Sequence, residues 1–169
     1  MRITRRHLLA ITAATAAVGT IGAAGIGMRW WDQSPSAPLA ALSQEEGAIV
    51  RAIAGAAYPA TKAIALDGAS ANLDVFFDAL VSHIPPVSQK LLKLLLHTLD
   101  GGTVLTHGAT FRALSTRDRL DALSGWINND IAEIRSAAQS LVLLIGMGWT
   151  IHPEVAPTMQ RLHNCGYGA

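Results

Sequence analysis

The chain has 169 residues, 50% of them apolar and 15% charged, and 13 Lys+Arg stand against 12 Asp+Glu. That balance excludes disorder and a basic nucleic-acid binder, and 5% aromatics exclude a stacking platform for single strands. The single cysteine, Cys165, excludes a disulfide framework within the chain and a Cys-rich metal knuckle.

Charge is unevenly spread. Residues 1–28 carry Arg2, Arg5 and Arg6 and no acid, a local +3, and the remainder sums to −2. A basic start, an uncharged run and a mildly acidic body is the layout of an exported protein. From His7 to Met28 there is no formal charge, and Ala, Gly, Thr and Ile predominate. Thr4-Arg5-Arg6-His7 followed by Leu8-Leu9 resembles a twin-arginine export signal, in which Ser or Thr precedes the arginine pair and apolar residues come one position later. Thr4, Arg5, Arg6, Leu8 and Leu9 are the candidate targeting residues, and Ala10 departs from the Lys frequent there. Leu8–Met28 would reach about 31 Å as a helix, enough to span a hydrocarbon core. Gly25-Ile26-Gly27 is a poor cleavage site, and Arg29-Trp30-Trp31-Asp32 looks like an interfacial anchor. A cleaved signal and a retained inner-membrane anchor over 8–28 are both open, and either places the body in the periplasm. The division expected is 1–31 for the signal or signal anchor, 32–41 for a linker with two prolines and 42–169 for a helical periplasmic domain.

The body reads as all-α, a bundle of about five helices, without period-2 alternation long enough for a sheet. Ser43-Gln44-Glu45-Glu46 makes a capping box, Ile49, Ile53 and Ala56 come after it at helical spacing, and Tyr58-Pro59 closes the helix. Thr61–Ala71 is a loop. Asn72 caps a second helix with Leu73, Phe76, Phe77, Leu80, Val81 and Ile84 on its apolar face, and Pro85-Pro86 stops it. A third helix from about Ser88 carries so many leucines between Leu91 and Leu99 that most of its surface must be buried, with Lys90 and Lys93 on the wet side and Gly101-Gly102 at the end. Thr103–Thr110 is a short helix or a loop. Ser115-Thr116-Arg117-Asp118 is a second capping box before a fourth helix with Leu120, Leu123, Trp126 and Ile127, closed by Asn128-Asn129. A fifth helix runs from about Asp130 to Leu144, with Ile131, Ile134, Ala137, Ala138, Leu141 and Val142 inward, and Gly146 and Gly148 loosen the chain beyond its end. A short helix is expected near Thr158–His163.

Residues that carry chemistry are sparse. The six histidines, His7, His83, His97, His107, His152 and His163, make no H-x-x-x-H or H-E-x-x-H pair. His97 sits where it can meet the carbonyls at a helix end. No C-x-x-C-H, G-x-G-x-x-G or P-loop is present. Asp74 with Asp78, and Asp118 with Asp121, share helix faces and read as solvated. Cys165 would be a nucleophile only with a histidine near it in space, and a lone cysteine without a recognisable local signature is more often inert. Trp149, Ile151, Val155, Met159 and Tyr167 are candidate contributors to a partner surface.

One family combines these features. An arginine-pair signal, a Leu42-Ser43-x-Glu45-Glu46 helix start, the Tyr58-Pro59 step, Asn72-Leu73-Asp74-x-Phe76-Phe77-Asp78, Phe111-x-x-Leu114-Ser115, Arg119-x-x-x-Leu123 with Trp126, and a Gly166-Tyr167-Gly168 end occur in that order. Over most of 42–169 the chain resembles the small subunit of membrane-bound flavin-dependent dehydrogenases, the gluconate 2-dehydrogenase subunit 3 type. The resemblance implies a non-catalytic accessory subunit with no cofactor of its own. It implies a large partner of the glucose–methanol–choline class that binds FAD and acts on a sugar or alcohol. It also implies a cytochrome c subunit as a further partner, and export of the folded flavoprotein by the twin-arginine translocase on this chain's signal. The shorter Ala-rich Thr61–Ala71 loop departs from the family pattern. The alternative is a free-standing membrane-anchored helical protein that binds an apolar ligand.

Overall fold

The structure is a computed structural model and describes residues 33–162. Thr4, Arg5, Arg6, Leu8 and Leu9, the segment 8–28, Cys165 and Tyr167 lie outside the described residues. Within them every regular element is helical and none is a strand. In order these are α1 (Gln44–Ala57), α2 (Leu73–Ser82), α3 (Pro86–Gly102), α4 (Val104–His107), a 3-10 turn (Phe111–Ala113), α5 (Thr116–Ile127), α6 (Ala132–Ile151) and α7 (Ala156–Leu162).

The α1 helix occupies the centre and packs against α2, α3, α5, α6 and the 3-10 turn. Its sequence suits that place. Ile49, Val50, Ile53 and Ala54 are fully buried, and Ala52 and Ala56 let neighbouring helices come close. A helix apolar around so much of its circumference is stable only when surrounded. Leu42, Phe77, Val81, Leu96, Phe111, Leu141 and Ile145 complete the core. The Phe111 and Trp126 rings lie 5.0 Å apart, and Tyr58 stacks on Trp149 at 5.6 Å. The capping box forms as the spacing predicts. The Glu46 N–H donates to Ser43 Oγ at 3.2 Å, and the Ser43 N–H donates to Glu46 Oε2 at 2.7 Å.

Several expectations are corrected. Lys93 is buried rather than wet, because it turns toward Glu46. Leucines of α3 divide: Leu96 and Leu99 are buried, and Leu91 is exposed. That helix begins at Pro86, where a missing N–H costs nothing. Asp74 and Asp78 are buried rather than solvated. Asn72 adopts a left-handed conformation and makes no side-chain cap. At Ser115 only half a box forms: its hydroxyl accepts from the Asp118 N–H and donates to the Asp118 carboxylate. Leu120 and Ile131 face outward.

The largest correction is α6, which continues to Ile151 straight through Gly146 and Gly148. Both are buried contact points. A Cβ at Gly146 would collide with the Tyr58 hydroxyl, and one at Gly148 with the Phe76 ring. The Tyr58 hydroxyl donates to the Val142 carbonyl at 2.8 Å along the same seam. Glycine costs helix propensity there, and close packing of two aromatic rings offsets it.

The stretch read as a linker is tied down at its end. Leu39, Ala41 and Leu42 are buried. The N–H groups of Ala40, Ala41 and Leu42 all donate to the Asp78 carboxylate, at 2.8, 2.8 and 2.7 Å.

Candidate functional site

Charged residues gather where α1 crosses α3. Lys93, His97 and Asp100 are spaced to share one face of α3, and Glu46 meets that face from the first turn of α1. All four are buried. Lys93 Nζ lies 3.4 Å from Glu46 Oε2, and His97 Nε2 lies 3.5 Å from Glu46 Oε1. His97 therefore faces a carboxylate. Burial by itself would raise the Glu46 pKa. His97 foremost, then the Ser43 N–H and Lys93, outweigh burial and hold the carboxyl below its ordinary value of 4.5. One turn along, Asp100 accepts from the Arg112 N–H at 3.0 Å, and its other oxygen is 3.4 Å from Arg112 Nε. Arg112 also pairs with Glu45, and Arg119 donates to the carbonyls of Phe111 and Arg112. These groups lock α1, α3, the 3-10 turn and α5 together. Helical spacing explains how three of them share one face, a grouping not drawn from the sequence, and Glu46 comes from 47 residues before Lys93.

Arg51, Arg112 and Arg119 edge a shallow hollow floored by Ala48, Ala52 and Ala69. Arg51 pairs with Asp74 and Arg112 with Glu45, so the hollow holds no large excess of positive charge.

A second concavity is apolar. Between α3 on one side and the α5–α6 corner on the other lies an open groove of about 410 Å³. Leu95, Leu99, Trp126, Ile134 and Ala137 line it, with Thr98, Asn129 and Glu133 at the rim. Its size and apolar lining fall in the range of ligand and side-chain pockets. Ile134 and Ala137, expected to face the core, line this groove instead. Farther along α6, Leu143, Met147 and Ile151 are exposed by 68%, 48% and 65%. Of the residues singled out in the tail, Ile151 is thus open to a partner, Trp149 and Val155 are buried, and Met159 packs partly against the core.

Among the described residues no group of three His, Cys, Asp or Glu is placed to hold a metal ion. By length and composition α6 is apolar enough to cross a membrane, and it packs against α1, α2 and α5. No protein-family model, curated protein or solved structure matches this chain.

Proposed function

We propose that the chain is a non-catalytic accessory subunit that binds a FAD-dependent dehydrogenase of the glucose–methanol–choline class and carries it through twin-arginine export. The observation that carries this reading is an arginine pair set before an uncharged run, on a chain whose helical domain keeps large apolar side chains at its surface. Val87 and Leu91 stand one turn apart on α3, at 65% and 53% exposure, and Leu105 in α4 is exposed by 94%. Apolar surface of that kind is the usual core of a protein–protein interface. The order of Ser43–Glu46, Tyr58-Pro59 and Asn72–Asp78 supports the family resemblance. Flavin must bind before export of a folded protein, and in this reading it belongs to the partner. The chain has no Gly-rich dinucleotide turn.

The test is export of the partner. Arg5→Lys and Arg6→Lys together, in a chain tagged at Ala169 and expressed with the neighbouring reading frames, leave this protein and a yellow flavoprotein in the cytoplasm. The unaltered chain brings both to the periplasm or the membrane, read by flavin absorbance of the tagged material. A partner that still reaches the periplasm, or a colourless single band, rejects the proposal.

A further inference from the structure

Three arginines from three separate elements meet at one hollow. Arg51 comes from α1, Arg112 from the 3-10 turn and Arg119 from α5. The hollow holds about 340 Å³, and every other residue lining it is an alanine. Ala48 and Ala52 share one face of α1 with Arg51 by helical spacing, and Ala69 reaches the floor from the loop before α2. Alanine is what leaves the space, because a longer side chain at any of the three would occupy it.

Each guanidinium is held from behind. Arg51 pairs with Asp74 and Arg112 with Asp100, and both carboxylates are buried. Glu45 holds Arg112 from the rim. Arg119 meets no carboxylate among the described residues; its Nε donates to the Phe111 carbonyl at 3.1 Å and its Nη2 to that of Arg112. These contacts use one or two of the five N–H donors on each arginine. Side chains already fixed in this way lose little further freedom when their other donors are engaged. Charge then narrows the ligand. Asp74, Asp100 and Glu45 together balance the three arginines, so the site suits one negative charge and not several. Arg119 also edges an adjoining hollow that contains Asp67, which the Ser70 hydroxyl helps to keep ionised and which repels a second negative charge. We infer that the hollow between Arg51, Arg112 and Arg119 binds a single carboxylate, whose two oxygens match the fork of a guanidinium. The carboxylate belongs to a small organic acid or to an acidic side chain of a partner protein. The inference goes beyond the accessory-subunit reading and does not depend on it.

Arginine side-chain NMR of the full chain in a non-ionic detergent tests it. Sodium acetate is the small acid, and the blocked pentapeptide Gly-Ser-Glu-Ser-Gly supplies the acidic side chain. Sodium chloride, sodium phosphate and the same peptide with Gln in place of Glu are the controls, all at equal ionic strength. The Nε–H signals of Arg112 and Arg119 move and saturate with acetate or the Glu peptide, with a Kd on the order of millimolar. Whichever of the two saturates at the lower concentration names the source. Arg119→Lys keeps the charge, loses the fork and weakens binding roughly tenfold. Ala48→Glu puts a carboxylate into the hollow from α1, leaves the three arginines in place and abolishes the response. Signals that do not move, or that move as far with chloride, phosphate or the Gln peptide, overturn the inference. So does either variant if it folds and binds acetate as the unaltered chain does. Should one variant fail to fold, the other decides.

Discussion

A single carboxylate can hold as much of this molecule as a buried leucine. Asp78 accepts three successive backbone N–H groups at 2.8, 2.8 and 2.7 Å, inside the protein. Asp78→Ala leaves three donors without their acceptor, and each costs part of its desolvation. The expected loss is about 3 kcal/mol, read as a shift in the urea midpoint. Asp78→Asn keeps one acceptor oxygen and loses less. Glu46 is the second such residue. Its pKa is lower in the folded chain, so its contribution is complete above the unfolded value near 4.5 and declines as pH falls through the lower folded value. Glu46→Gln therefore flattens the acid limb of stability between pH 7 and pH 3, and a limb as steep as that of the unaltered chain contradicts this. Lys93→Met leaves Glu46 buried beside one partner fewer and costs about 3–5 kcal/mol by the same denaturation assay. Apart from the capping of α1 by Glu46, these roles are not visible along the chain. Asp74, Asp78 and Lys93 each sit on a helix where a charge ordinarily faces water, and their partners lie 23 to 47 residues away.

Elements are more legible than residues. The capping box at Ser43, the apolar spacing of α1 and α2 and the prolines between α2 and α3 are local signals, and the helices begin and end close to them. The fifth predicted helix stops short because a glycine read in isolation lowers helix propensity. The compensating contacts with Tyr58 and Phe76 come from other parts of the fold. The same physics separates two glycines by outcome. Gly148→Leu forces the Phe76 ring aside and lowers stability by about 2–3 kcal/mol. Gly125→Ala, inside α5 with nothing within 4 Å of the added carbon, raises it by about 0.5–1 kcal/mol. Thermal melting followed by circular dichroism distinguishes the two signs, and a rise for both variants would mean that local propensity alone governs these helices.

At the scale of the whole molecule the all-α class is readable because the 3.6-residue period persists through the body without an alternating stretch. The surface is not readable in the same way. An apolar residue at helical spacing predicts a buried face, yet Leu143, Met147 and Ile151 point outward while Ala138, Leu141 and Ile145 fill the core. Spacing reports that a face is apolar, and only tertiary packing reports whether this chain or another covers it. The three hydrogen bonds on Asp78 also have a mechanical consequence. They fasten the stretch entering the domain sideways onto α2, just ahead of the first turn of α1. A pull on the chain from the N-terminal side therefore meets these three bonds before it reaches α1. Traction on the leading end is taken up first at Asp78 of α2, inside the domain, ahead of the first turn of α1.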